Sequence, residues 1–162
     1  MKNNVKHILA LSLINDVGPA FIKKKLSLIS GYIDNIEMLT SIGGKVTLEQ
    51  FNYKLKEAQS IIDECKKQNI EVISIIDSKY PKTLEKINAP PPIIYLKGNT
   101  ALLSKAVAII GTRNSSELGN KIAGKVCKYF SENWSICNGL VDGIDKYSIL
   151  SDDEVLPNVI GV

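Results

Sequence analysis

Arginine is nearly absent from these 162 residues: nineteen of the twenty cationic side chains are lysine, and Arg113 alone offers a guanidinium. Any planar, permanently charged fork for anion oxygens is therefore confined to one position. Soft metal ligands are just as scarce. The three cysteines, Cys65, Cys127 and Cys137, form no CxxC pair, and His7 is the lone histidine. That pattern excludes a zinc site or a disulfide framework and predicts reduced thiols in a cytoplasmic protein. No apolar run is long enough to span a bilayer, so no membrane partner is expected. Lys2 and Lys6 ahead of Ile8–Leu11 imitate a signal peptide, but no small-residue cleavage site follows and Asp16 interrupts the run. The segment reads instead as a first amphipathic helix. Repeats and low-complexity stretches are missing too. An acid–base pair is also lacking: His7 lies in a helical region, and Glu117, Asp142 and Asp145 have no recognisable hydrolase spacing. The reading is therefore of a non-enzyme that needs no metal or cofactor.

What is present is a chain 44% hydrophobic and 23% charged, with net charge +3 and pI near 8.7. It is large enough for one moderate core, or for a small domain plus part of a second. A mild basic excess permits a nucleic-acid or nucleotide partner without requiring one. Residues 1–68 read as helical, with Leu9, Leu13 and Val17 at i, i+4 and i+8 and Ile8, Leu11 and Ile14 widening the stripe. Gly18-Pro19 divides this helix from a second over Ala20–Ser30. That turn is either a helix-hairpin-helix phosphate contact or a plain interhelical turn, and Lys23-Lys24-Lys25 is either a binding patch or a solvated face. Short segments fill Ile33–Leu39. A longer helix spans Leu48–Gln68, with Thr47 and Gln50 at capping-box spacing.

From Asn69 the pattern changes. Glu71–Ile76 is short and β-branched, as a strand requires. After Tyr80-Pro81, Leu84–Ile87 makes one helical turn, and the three prolines 90–92 lead into a strand at Ile93–Leu96. Then strand and helix alternate: strand 106–110, helix 116–132, strand 134–138, short helix 145–152, strand Asn158–Val162. The order βαβαβ predicts a partial Rossmann-like parallel sheet, so the fold class is α/β with a helical domain at 1–68 and the sheet domain at 69–162.

Ligands of such sheets bind beyond the carboxyl ends of the strands, where both glycine-bearing turns fall. The first supplies Gly111, Thr112 and Arg113 with the amides of Ser115 and Ser116 at a helix N-terminus, a site suited to phosphate. The second, 138–145, supplies Asn138, Gly139, Gly143 and Asp145, with Lys146 beside it. Gly111 and Gly139 admit a ligand close to the main chain. Asp145 is either a partner for a ribose hydroxyl or for Arg113, or the N-cap of the next helix. Tyr80, Tyr95, Tyr129 and Trp134 are either stacking surfaces or core, and Trp134 is expected to be buried.

Several segments in order resemble the DNA-processing protein A family, also called Smf. They are Asp77–Pro81 with Leu84, Pro91–Asn99, Val107–Arg113, Gly139-Leu140 and Gly143–Asp145. The start with Gly18-Pro19 resembles that family's sterile-alpha-motif-like (SAM-like) N-terminal domain. The resemblance implies a single-stranded-DNA-binding module, with Arg113 and the loop glycines at a phosphate pocket. It also implies the recombinase RecA as a partner, loaded during natural transformation, and a homodimer. The chain departs from the family at Asn138, where serine is usual. It departs again at Val141-Asp142, where a small residue or a cation is common, and at Ile149, where histidine is common. It stops at Val162 where members continue, which predicts a fragment, a degenerate paralogue or a self-associating protomer. Asp152-Asp153-Glu154 is expected to end the last short helix, an unfavourable place for acids. Two other functions remain open: a nucleotide or phosphate site at the same turns, and an interaction module with a vestigial pocket.

Overall fold

In a computed structural model of the protein, residues 2–44, 46–151 and 154–162 are described. The chain forms two compact units, residues 1–98 and 99–162. The fold is the mixed α/β class expected, helices first and a parallel sheet after them. The units divide at Gly98–Asn99 rather than at residue 68, because strands β1 (Glu71–Ser74) and β2 (Ile93–Leu96) pair antiparallel and lie on helix α1 (Lys2–Ser12).

The first unit holds the main core. Helix α1 lies against α5 (Leu48–Lys67), and Ile8, Leu11, Ile22, Ile29, Leu39 and Phe51 have no exposed surface. Thr47 and Gln50 do close a capping box: Thr47 Oγ1 accepts the Gln50 amide at 3.2 Å and Gln50 Oε1 accepts the Thr47 amide at 2.9 Å. The expected second helix is broken in two, α2 (Pro19–Lys24) and α3 (Leu26–Gly31), at Lys25, whose φ of −102° and ψ of 9° leave the helical well. The left-handed residue of the preceding turn is Asp16, at φ 69°, not Gly18, which is extended and caps α2 with Pro19 at its first position. Lys23 is not a free cation, since its ammonium donates to the Ile87 carbonyl. Helix α4 (Ile36–Gly43) is capped by Asn35. Helix α6 (Lys82–Glu85) begins two residues before the expected turn, because Pro81 serves as its N-cap. Tyr80 is core: its hydroxyl donates to the Pro91 carbonyl at 2.8 Å, and burial pushes its pKa up to about 12.

The second unit begins with a 3-10 turn (Thr100–Ser104) and is organised on three parallel strands, β3 (Ala106–Ala108), β4 (Ser135–Asn138) and β7 (Val159–Gly161), in that spatial order. Val107, Ile136 and Val159 form one cross-strand row, and Ile136 at its centre is fully buried. Helix α7 (Glu117–Ser131) joins β3 to β4 and buries Ala123 and Cys127, one turn apart. Helix α8 is shorter than expected, Ile144–Tyr147, and Leu150 lies in a small hairpin of β5 (Leu150–Ser151) with β6 (Glu154–Val155). The helix that was to end in acids therefore ends with Lys146 in its last turn; Asp152 and Asp153 lie outside the described residues. Trp134 corrects another expectation. It precedes β4 and keeps 38% of its surface exposed.

His7 gives the first unit a pH dependence. It is buried, and its Nδ1 meets the Ile33 carbonyl at 2.5 Å, so Nδ1 carries the proton that it donates. Burial lowers its pKa below 6.5; the Ile33 bond opposes that shift, Lys6 adds to it and Asp34 opposes it. Below the ordinary value the unfolded chain then binds more protons than the folded one, so stability falls as pH drops through 6.5. Urea midpoints should be lower at pH 5.5 than at pH 7.5, and His7→Gln should shrink that difference. An unchanged difference in the variant would assign the effect to other groups.

Candidate nucleic-acid interface

The first turn grows directly out of β3. Beyond the last ladder pair, Ile109 still donates its amide to the Cys137 carbonyl at 3.0 Å, which carries the chain in sheet geometry to Gly111. Thr112 then folds the turn by accepting the Asn114 amide on its hydroxyl at 3.2 Å. Ser116 is the N-cap of α7, and its hydroxyl accepts the Gly119 amide at 3.2 Å. Ser115 is used locally, its hydroxyl donating to Asn120 Oδ1 at 2.5 Å. One serine thus satisfies one of the amides that the first turn of a helix leaves without partners.

The second turn is built from the inside. Asn138, at the end of β4, is 3% exposed. Its amide donates at 2.9 Å to the Asp145 carbonyl and to the Ser148 hydroxyl, and its Oδ1 accepts the Leu140 amide at 2.9 Å. Asp145, 4% exposed, turns its Oδ2 onto the Gly139 amide at 3.0 Å. It is not the cap of α8; Gly143 holds that position. Asn138 and Asp145 therefore clasp the loop from within, and Asp145 faces neither Arg113 nor the outer surface. Ser148, which donates to the Asp145 carbonyl, completes the clasp. Sequence reasoning passed over it, since its only signal is a position one helical turn after Ile144.

The two turns meet backbone to backbone. The Ile144 amide donates to the Thr112 carbonyl at 3.1 Å. A Cβ at Gly143 would fall 2.2 Å from the Thr112 oxygen and 2.5 Å from the Arg113 oxygen, and the residue's φ is +88°. Only glycine fits both the space and the dihedral. On the other side of the junction, a Cβ at Gly111 would meet the Ile144 side chain at 2.6 Å. Gly111, Thr112, Arg113 and Gly143 are thus brought together as expected, with Gly139 on the adjoining strand end and Lys146 on α8. Gly119 packs against Ile144 as well: a Cβ there would lie 3.5 Å from the Ile144 Cδ1.

Arg113 is exposed, and among the described residues its guanidinium has no hydrogen bond or ion pair. The described ion pairs, Lys54–Glu57, Lys67–Glu64, Lys79–Glu71 and Lys82–Glu85, all lie in the first unit. Lys146 is exposed, as are Glu117 and Asp142. No group of three His, Cys, Asp or Glu able to hold a metal ion occurs among the described residues. Burial pushes the Cys127 thiol up to about 11, so it packs as a small apolar group and supplies no thiolate.

This junction falls inside a stretch shared with known proteins. Residues 70–152 match the family described as DNA recombination-mediator protein A. The chain belongs to that family. It is 33% identical over 121 residues to the DNA processing protein DprA of Bacillus subtilis, spanning 73% of this chain and 40% of the relative. To DprA of Streptococcus pneumoniae it is 37% identical over 79 residues, or 48% of this chain and 28% of the relative. The X-ray structure of DNA processing protein A from Streptococcus pneumoniae superposes with a TM-score of 0.70 at 26% identity, covering 91% of this chain and 53% of that one. The chain therefore spans about half or less of the relatives that it matches. The matched stretch begins at residue 70, with the strands that pack on the helical unit, so the family segment runs across the boundary between the two compact units.

The junction's dependence on one glycine is testable. Gly143→Ala should destabilise the second unit by about 2–4 kcal/mol, through backbone strain and collision with two carbonyls. Gly124→Ala, in the middle of α7 with its nearest neighbours at 3.7 Å and 3.8 Å, is the control. It should be neutral or stabilising by up to about 1 kcal/mol. Equal melting curves for the two variants would mean that the turns are not locked together.

Proposed function

We propose that the chain binds single-stranded DNA at the rim formed by Gly111–Arg113, the start of α7 and the Gly139–Lys146 loop. It does so without chemistry, as a DprA-like module of recombination or natural transformation in the cytoplasm. RecA is the protein partner in this reading, and a second copy of the chain completes a homodimer. The observation that carries the proposal is the exposed Arg113, without an ion pair among the described residues, on a turn locked by Gly143 to the adjoining loop. A guanidinium on a fixed backbone, with no acid paired to it among the described residues, has its planar fork available for phosphate oxygens. Family membership supports DNA as the polymer. No described helix is long and apolar enough to cross a membrane.

Charge distribution makes the role of Arg113 a local one. The first 98 residues carry fourteen lysines against ten acids, whereas residues 99–162 carry six cations against seven acids. The unit with the rim has no general positive field, so affinity there rests on contacts at the turns, and the basic excess of the first unit adds non-specific attraction. Asn138 and Asp145 act in this reading as supports of the loop, while Ser115 and Ser116 shape the helix start.

A labelled oligonucleotide titrated at several salt concentrations tests the proposal. Binding should weaken linearly on a log–log plot, with a slope of about −0.7 for each phosphate contacted. Arg113→Ala should reduce affinity about tenfold and make the slope shallower by about 0.7, the signature of one lost phosphate contact. No binding at low salt would remove the reading. A rise in melting temperature with mononucleotides but not with oligonucleotides would move it to a nucleotide site. Binding indifferent to Arg113 would leave the turns without that role.

A further inference from the structure

At the opposite end of the sheet from Arg113, an aromatic ring and a cation meet in the open. The register places Lys105 and Trp134 side by side, one residue ahead of the Ala106–Ser135 pair that opens the β3–β4 ladder. The Ser135 amide ties the two chains there by donating to the Lys105 carbonyl at 2.9 Å. The Lys105 ammonium lies 4.5 Å from the centre of the Trp134 ring. Trp134 keeps 38% of its surface, and Lys105 is exposed.

The backbone around the ring is fixed from three directions. The Trp134 amide donates to the Phe130 carbonyl at 2.9 Å, and Asn158 donates its side-chain amide to the carbonyls of Ser131 (2.8 Å) and Trp134 (2.6 Å). A second exposed ring, Tyr129, stands on the last turn of α7 and keeps 71% of its surface, edge-on to Phe130 at 5.3 Å. Lys128 stands in the last turn of α7 and Glu132 follows as its C-cap.

We propose that Trp134 and Lys105 form a base-stacking station for single-stranded DNA, distinct from the Arg113 rim and rich in what the rim lacks. It rests on the reading of the rim as a DNA contact. The rim offers amides and a guanidinium, which hold phosphates, and none of residues 111–113, 116–119 and 139–146 is aromatic; the exposed Tyr147 follows them at the end of α8. A single strand needs stacking surfaces as well as cations, and base–aromatic stacking tolerates any sequence because every base has a π face. Indole has the largest such face among the side chains. The Lys105 ammonium covers one face of the ring, so a base that stacks there displaces it, and the freed cation stays within reach of that nucleotide's phosphate. Six residues of extended chain separate Lys105 from Gly111, about 20 Å at strand geometry. That lies within the span of the four or more nucleotides that single-strand binders cover.

Trp134 is the chain's one tryptophan, so its emission reports on this position alone. The full chain is titrated with an end-labelled oligothymidine and with an abasic strand of equal length, following both label anisotropy and tryptophan emission. Oligothymidine should quench the emission, and Trp134→Leu should weaken its binding about tenfold while leaving the salt slope unchanged. Trp134→Phe should restore part of the affinity. The abasic strand should bind wild type and Trp134→Leu equally. Oligothymidine binding that needs Arg113, with unchanged emission and no loss in Trp134→Leu, would overturn the stacking station and leave the rim reading in place. No binding of either strand by wild type would remove both. Should Trp134→Leu fail to fold, the emission of the wild-type protein decides alone.

Discussion

The second unit depends on one close approach, the Cα of Gly143 against the carbonyl oxygens of Thr112 and Arg113. Where a Cβ would collide at 2.2 Å, two turns from separate crossings of the sheet instead share a hydrogen bond, from Ile144 to Thr112 at 3.1 Å. That contact converts two flexible glycine loops into one surface. It also fixes where Arg113 leaves the backbone. The Asn138, Asp145 and Ser148 clasp behind it keeps the second turn from opening, since each of its polar groups meets a partner inside the loop. Buried polar groups of this kind are costly to leave unpaired, so the loop has one favourable arrangement.

The two units are stabilised by different means. The first has a continuous apolar core, with Ile8, Leu11, Ile22, Ile29, Leu39 and Phe51 fully covered. The second has fewer covered side chains, chiefly Ala123, Cys127 and Ile136, and leaves Leu118, Ile122, Val126 and Tyr129 exposed on α7. Burial of large side chains stabilises the one, and backbone registration with internal polar bonds shapes the other. The two interlocked turns sit on the sparsely packed unit, where positions are set by strand ends and close backbone contacts. The first unit supplies fourteen of the chain's nineteen lysines.

Much of this was legible in the chain itself. The Thr47–Gln50 capping box, the apolar stripe of α1, and the β-branched runs of β1 and β2 each follow from local rules, because the signal and the structure involve residues within one or two turns of each other. Other features rest on relations that local rules do not reach. Composition changes near residue 68, yet β1 and β2 pair with each other and pack on α1, a relation between residues some seventy apart. Trp134 looked like a buried strand residue; it lies just before the ladder, where the sheet no longer covers it. Asp145 looked like a ligand or a cap; a backbone amide six residues earlier claimed it first.

By itself, then, the sequence determined most of the element types, the three parallel strands of the second unit, the family and the identity of the one arginine. Those follow from periodicity, from turn chemistry and from short motifs read in order. Tertiary structure alone decided which polar groups face outward. Arg113 and Lys105 stay exposed while Asn138 and Asp145 turn inward, although all four are polar residues. The difference arises because hydrogen-bond partners inside a loop are set by through-space geometry, and a side chain that finds them there is withdrawn from the surface.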